Sequence, residues 1–147
     1  MPPSREEFWD FSLEIYATPG VKEACLEAQD CFGADVNLLL LLLWHDRGGL
    51  SISDDGMRAL LAVSSDWQQN KLRSHRARRR AAKGTGAYEG LLREELALER
   101  QAQDALVAAC HEALEKEASV GNSAHYLHSL GAPSALLTPL LAAIRRV

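Results

Sequence analysis

Six consecutive leucines, Leu38 to Leu43, stand between Asn37 and Trp44. A helix turns once every 3.6 residues, so a run this long leaves no side of the helix polar. Such a helix has to be enclosed, either by lipid or by other protein elements. Lipid is excluded by length. With Trp44 the run is seven apolar residues, Val36 adds one more across Asn37, and His45, Asp46 and Arg47 close it at once. A membrane span needs roughly 20. The leucines therefore predict a central helix wrapped by its neighbours. The polar cluster before them, Gln29, Asp30, Asp35 and Asn37, belongs to the tight corner that feeds this helix. Gly33 suits the left-handed end of the preceding helix, Asp35 suits the start of the next, and Gly48-Gly49 stops it.

Helical signals fill the rest of the chain. Ser4 and Glu7 form a capping box ahead of Phe8, Trp9, Phe11, Leu13 and Ile15, for a first helix ending near Tyr16 or Ala17. Thr18 as cap and Pro19 at the first helical position predict a second helix, with Val21, Ala24, Cys25, Ala28 and Phe32 on one face. A fourth helix starts within Ser51 to Asp55. Ser64-Ser65-Asp66 predicts the cap of a fifth at Trp67, which GTGA at Gly84 breaks. A long helix is expected from Tyr88 to Ala118, ended by Val120-Gly121-Asn122. A short one follows from Ser123 to Leu130, and a last from Pro133 to Val147, with Pro139 starting or kinking its main part. No run alternates with period two over strand length, so no sheet is expected. The 147 residues, 47% of them hydrophobic, suit one domain spanning 1–147. The expected class is all-α: a single compact multi-helix bundle with the leucine-rich helix at its centre.

Several function classes fall away. A formal net charge of −4 is not that of a generic nucleic-acid binder, although a local patch can override the total. The start MPPSREEFWDF lacks the basic and apolar stretches of a secretion signal, so the cytoplasm is the expected compartment and no membrane is involved. Cys25, Cys31 and Cys110 are odd in number and lack CxxC spacing, which argues against a disulfide framework or a structural zinc. No P-loop, dinucleotide fingerprint or nucleophile elbow is present, and no cofactor is expected.

One resemblance emerges. In FWDFSLEIYATPGVKEACLEAQDCFGADVNLLLLLLWHD, the pattern runs Phe8-Trp9, Phe11-Ser12-Leu13, Tyr16, Pro19-Gly20-Val21, Ala24-Cys25-Leu26, Gln29-Asp30, Gly33 and Asp35-Val36-Asn37 before the leucines and Trp44. It resembles the N-terminal half of a bacterial family known as domain of unknown function 2390. Trp67, the arginine-rich stretch, Glu94-Glu95-Leu96 and Glu99-Arg100 resemble its second half. The likeness extends to about Arg100, and the C-terminal third departs from it. It implies a small helical cytoplasmic protein and brings no catalytic residues.

Four constellations are candidates for function. The corner residues Gln29, Asp30, Asp35 and Asn37 first satisfy local needs, as caps and corner hydrogen bonds, and second offer a small polar pocket. The basic stretch Lys71, Arg73, His75, Arg76, Arg78, Arg79, Arg80 and Lys83 holds seven formal positive charges and no acid. The next helix, from Glu89 to Glu117, holds eight acids against Arg93, Arg100 and Lys116. A short GTGA turn folds the two antiparallel and sets Arg78–Lys83 near Glu89–Glu95, so part of the run pairs internally while the far side stays free. No aromatic lies between Trp67 and Tyr88 to stack bases, which ranks a protein partner above nucleic acid. His125 and His128 share a face but lack a third converging ligand, so no metal site is expected. Glu95, Glu99 and Gln103 lie on a core-facing side of the long helix, and pairing with the arginines explains them more simply than acid–base chemistry.

The leading expectation is a non-enzymatic protein-interaction or adaptor module. Its basic surface would be Arg73, Arg76, Arg78, Arg79, Arg80 and Lys83. The alternatives are an RNA- or DNA-binding accessory protein using the same arginines, and a small-ligand or enzymatic site at the Gln29–Asn37 corner.

Overall fold

The computed structural model describes residues 3–111, 115–117 and 121–147. Helix α1 (Arg5–Tyr16) begins at the expected capping box, in which Ser4 and Glu7 satisfy each other's backbone N–H groups. Helix α2 (Val21–Phe32) starts two residues later than Thr18-Pro19 suggests. Gly20, at φ 87°, makes the turn instead, and the Thr18 hydroxyl donates back to the carbonyl of Glu14. Only glycine enters that left-handed region without strain. Gly33, at φ 72°, ends α2 as anticipated.

Helix α3 (Val36–Arg47) is the leucine helix. All six leucines are buried, together with Asn37 and His45. It is surrounded: α1, α2, α6, α7 and α8 all pack on it. Helix α4 (Asp54–Trp67) is capped by Ser53. It does not stop at Ser64-Ser65-Asp66. It runs on through a π turn at Gln68–Leu72 into α5 (Arg73–Ala81), so the expected fourth and fifth helices form one continuous rod. Ser64 is spent elsewhere: it is buried and donates to Asp35. The turn through Gly84, at φ 85°, then leads into α6 (Tyr88–His111). Glu115–Glu117, expected as the last turn of the long helix, form a strand instead, β2, antiparallel to β1 (Leu50–Ile52). These two three-residue strands are the one departure from helix pairing among the described residues, and they are too short to show an alternating pattern. The Val120 part of the expected terminator lies outside the described residues.

Helix α7 (Asn122–Ser129) has no cap of its own. Asp46, from the end of α3, supplies it across the fold. Its carboxylate accepts from the backbone N–H of Asn122 at 2.6 Å and of Ser123 at 3.1 Å, and from both side chains. Gly131, at φ 78°, ends the chain's turn after α7, and a 3-10 turn (Ser134–Leu136) leads into α8 (Leu137–Ile144). Pro139 sits in the first turn of α8, where a missing N–H breaks no helical hydrogen bond. Phe8, Phe11, Ile15, Val21, Cys25, Leu106, Leu127 and Leu140 close over the leucines to form the core. The fold is all-α, a close-packed helical bundle around α3.

Leu41 is fully buried. A carboxylate there enters a dry, occupied space, so Leu41→Asp is expected to cost on the order of 4 kcal/mol or more. Thermal unfolding followed by circular dichroism should show the transition lost or moved far below that of the unaltered chain. An unchanged midpoint would place the run on a surface.

Candidate functional site

The start of α3 is buried, so its free backbone donors need partners inside the protein. One Asp35 oxygen accepts from the N–H of Asn37 at 2.9 Å and of Leu38 at 3.4 Å. The other accepts from the Ser64 hydroxyl at 2.7 Å. The N–H of Asp35 itself donates to the Tyr126 hydroxyl oxygen at 2.9 Å. Burial pushes the Asp35 carboxyl above its usual range, partly opposed by these hydrogen bonds, and burial also pushes Tyr126 up to about 12. Asp35 is thus a structural cap, and it lines neither of the two hollows beside it.

Asn37 points the other way. Its amide nitrogen donates to Glu99 at 2.5 Å, and its carbonyl accepts from Gln103 at 3.1 Å. Gln103 also donates to Ser12 at 3.1 Å. Glu99 in turn accepts from Arg76 at 2.5 Å, and Glu95 accepts from Arg79 through two nitrogens at 3.0 and 3.4 Å. Arg76 also donates to the Gln68 side-chain oxygen, Oε1, at 2.8 Å. The expected pairing of the arginine helix with α6 therefore forms, at Arg76–Glu99 and Arg79–Glu95. Both pairs are mostly shielded from water. The Glu95 hydrogen bond also holds Arg79 protonated beyond its ordinary range.

These groups line a cleft of ≈ 280 Å³ between α1, α2, α5 and α6. Asn37, Gln103, Glu95, Glu99, Arg76 and Arg79 supply its polar lining, and Trp9, Tyr16, Val36 and Leu40 supply apolar walls. Its rim carries three leucines open to solvent: Leu13 at 55%, Leu26 at 38% and Leu96 at 56%. A second hollow of ≈ 390 Å³ adjoins it and shares Gln29 and Arg76. Asp30, Gln68, Arg73 and Arg80 line that groove as well.

The anticipated residues thus divide. Gln29 lines both hollows and Asn37 the cleft. Asp30 is exposed in the groove, and Asp35 is in neither. Arg73 and Arg80 face the groove, Arg79 the cleft and Arg76 both, while Arg78 and Lys83 are exposed outside either. A pocket lined by all four corner residues does not form. His125 and His128 are exposed, and no group of three metal-ligating side chains occurs among the described residues. The rim leucines and Gln68 escape sequence reasoning. Leu13 and Leu96 sit in helical patterns that otherwise face the core, and nothing local marks them as exposed.

The model of a family described as protein of unknown function (DUF2390) matches residues 7–106, which include every residue of both hollows. No curated protein and no solved structure matches the chain. No helix among the described residues is long and apolar enough to cross a membrane.

Two outcomes test this arrangement. The first concerns Asp35. Its carboxyl holds a proton to higher pH in the fold than in the unfolded chain, where the ordinary value is about 4. Its contribution to stability is therefore full below that value and is lost as pH rises through the raised one. Asp35→Asn keeps a capping oxygen without the charge. It should match or exceed the parent's stability at pH 7, and should lose less between pH 4 and 7. Asp35→Ala should cost about 1–2 kcal/mol by loss of the cap. Denaturant titrations in which the Asn and Ala variants fall equally would contradict this. The second concerns the ion pairs. Arg76→Glu with Arg79→Glu sets like charges against Glu99 and Glu95, so hydrogen exchange should quicken across 70–85 while α3 stays protected.

Proposed function

We propose that this chain, which belongs to the DUF2390 family of proteins of unknown function, is a non-enzymatic protein-interaction module. Its docking surface is the cleft between α1, α2, α5 and α6. The observation that carries this is the placement of exposed leucines. Four large hydrophobic residues are exposed among the described ones: Leu13, Leu26, Leu61 and Leu96. Three of them, all but Leu61, stand around this one cleft. Single exposed leucines are ordinary, but a cluster around a hollow is the signature of an interaction site.

The size of the cleft names what enters it. A cavity of about 150 Å³ holds one benzene-sized ring. At ≈ 280 Å³ the cleft takes one or two large apolar side chains. The charges around it name the rest. Arg76 and Arg79 are committed to Glu99 and Glu95, which withdraws them from phosphate contacts and makes the cleft nearly neutral. Arg73 and Arg80 remain on the adjoining wall. The occupant that fits is a short segment of a partner protein, with apolar side chains for the cleft and an acidic residue beside them for the arginines. A hot spot of this kind is an apolar anchor in a pocket with a charged rim.

Peptide display against the folded protein tests this reading. Selected peptides should share a large apolar residue next to Asp or Glu. They should bind Leu13→Asp/Leu96→Asp at least tenfold more weakly and bind Leu61→Asp unchanged. Peptides that bind the cleft variant as well as the parent, or a selection with no shared pattern, would remove the cleft as a docking site.

A further inference from the structure

The rod that carries the arginines is interrupted by a turn that packs less well than α-helix. In the π turn Gln68–Leu72, the N–H of Arg73 donates to the carbonyl of Gln68, five residues back. Turns of this kind concentrate at functional sites. The consequence here is one of register. In an uninterrupted α-helix, residues five apart point about 140° away from each other. The extra residue in the turn brings Gln68 over Arg73. Arg76 and Arg80 then follow Arg73 at three and seven residues, on the same side. All four line the groove opposite Gln29 and Asp30.

Two features of this wall are left unsatisfied. Arg73 and Arg80 have no ion-pair partner among the described residues. The Gln68 amide is held in one orientation because its oxygen accepts from Arg76, and its nitrogen is buried without a partner. A buried donor with no acceptor is unfavourable, because it has lost its water and gained no partner. We infer that the groove binds a ligand bearing a single anionic oxygen group, a carboxylate or a phosphate. Guanidinium forks match the geometry of such oxygens. Asp30 sets the limit. It is the one carboxylate lining the groove, and it repels a second negative charge, so a polyanion is disfavoured. Arg73 and Arg80 are also the residues that the acidic residue of the proposed docking segment would meet, so the inference deepens that reading at the groove, while the leucine rim of the cleft plays no part in it.

The test is a nitrogen–proton correlation NMR titration with sodium phosphate and, separately, sodium acetate. Sodium chloride at matched ionic strength is the control. The Gln68 side-chain amide and the Nε–H signals of Arg73 and Arg80 should move and saturate, with half-saturation on the order of 1–10 mM. Arg73→Ala/Arg80→Ala changes exposed side chains only, and should raise that concentration at least tenfold. Asp30→Asn should lower it severalfold. Tighter saturation by phosphate assigns a phosphorylated ligand and tighter saturation by acetate a carboxylate; either upholds the site. Shifts that match chloride, or that survive in the double variant, would overturn it. So would tight binding of a twelve-nucleotide single-stranded RNA that Arg78→Ala/Lys83→Ala weakens as much as Arg73→Ala/Arg80→Ala does. That result would describe one continuous basic face.

Discussion

A helix with no polar side must begin and end in places where its free backbone groups still find partners. That constraint organises this protein. The N-terminus of α3 lies in the core, away from water, so its donors are met by Asp35, and Asp35 is met by Ser64 of α4 and by Tyr126 of α7. Three segments far apart in the chain are thereby tied to one residue, α4 through the Asp35 carboxyl and α7 through its backbone N–H. At the other end Asp46 accepts from the first residues of α7 and holds the C-terminal helices against the leucine helix. The leucines supply the burial energy, but an apolar surface is non-directional. The two aspartates fix the register in which that surface is covered.

From the same helix start, a second set of polar contacts runs outward. Asn37 binds Glu99, Glu99 binds Arg76, and Arg76 binds Gln68. The chain crosses from the core to the surface in three steps and changes from neutral to ionic on the way. Shielded ion pairs contribute little net stability, because the cost of removing two charges from water offsets most of their attraction. Their effect is on geometry. Helix α5 buries only His75 of its own, and Leu72 lies just before it, so apolar contact alone cannot decide how the arginine segment is oriented. The pairs with Glu95 and Glu99, together with the contact of His75 Nε2 to the Leu91 carbonyl at 2.9 Å, decide it. They turn Arg76 and Arg79 inward and leave Arg73, Arg78, Arg80 and Lys83 facing out.

Much of this was legible in the residues. The leucine run fixes a central helix on length and periodicity alone, and the caps at Ser4, Asp35 and Gly33 follow from local chemistry. The antiparallel charge pairing also follows from composition on either side of a short turn. What was not legible has one common cause: side chains with local and distant uses look alike in sequence. Ser64-Ser65-Asp66 has the form of a helix cap, yet Ser64 serves a carboxyl 29 residues away, and the helix continues past it. Asp46 reads as the polar end of an apolar run and acts instead as another helix's cap. Leu13 has the spacing of a core residue but lies on a rim, more than half exposed beside the cleft. The strand pair depends on two three-residue segments whose pairing carries no local pattern.

The two hollows meet at Arg76 and Gln29, and that junction gives the surface its character. Arg76 cannot respond to an anion in the groove without altering its contacts to Glu99 and Gln68, and Glu99 is the acceptor that orients Asn37 on the floor of the cleft. On the readings proposed above, an occupant of one hollow would act on the other through Arg76, the guanidinium that lines both. The sign of that coupling follows from charge. An anion beside Arg73 and Arg80 draws on the same positive field that holds Glu99, and so loosens the Arg76–Glu99 pair. Loosening it would free a carboxylate and an amide in a nearly neutral cleft where the Gln103 side-chain oxygen already lacks a partner. A segment that sets an acidic residue in the groove and apolar side chains in the cleft, with its own backbone N–H groups turned to the floor, would meet both changes at once, whereas a purely apolar ligand would meet neither. The polar floor thus discriminates among occupants that the leucine rim alone would admit equally.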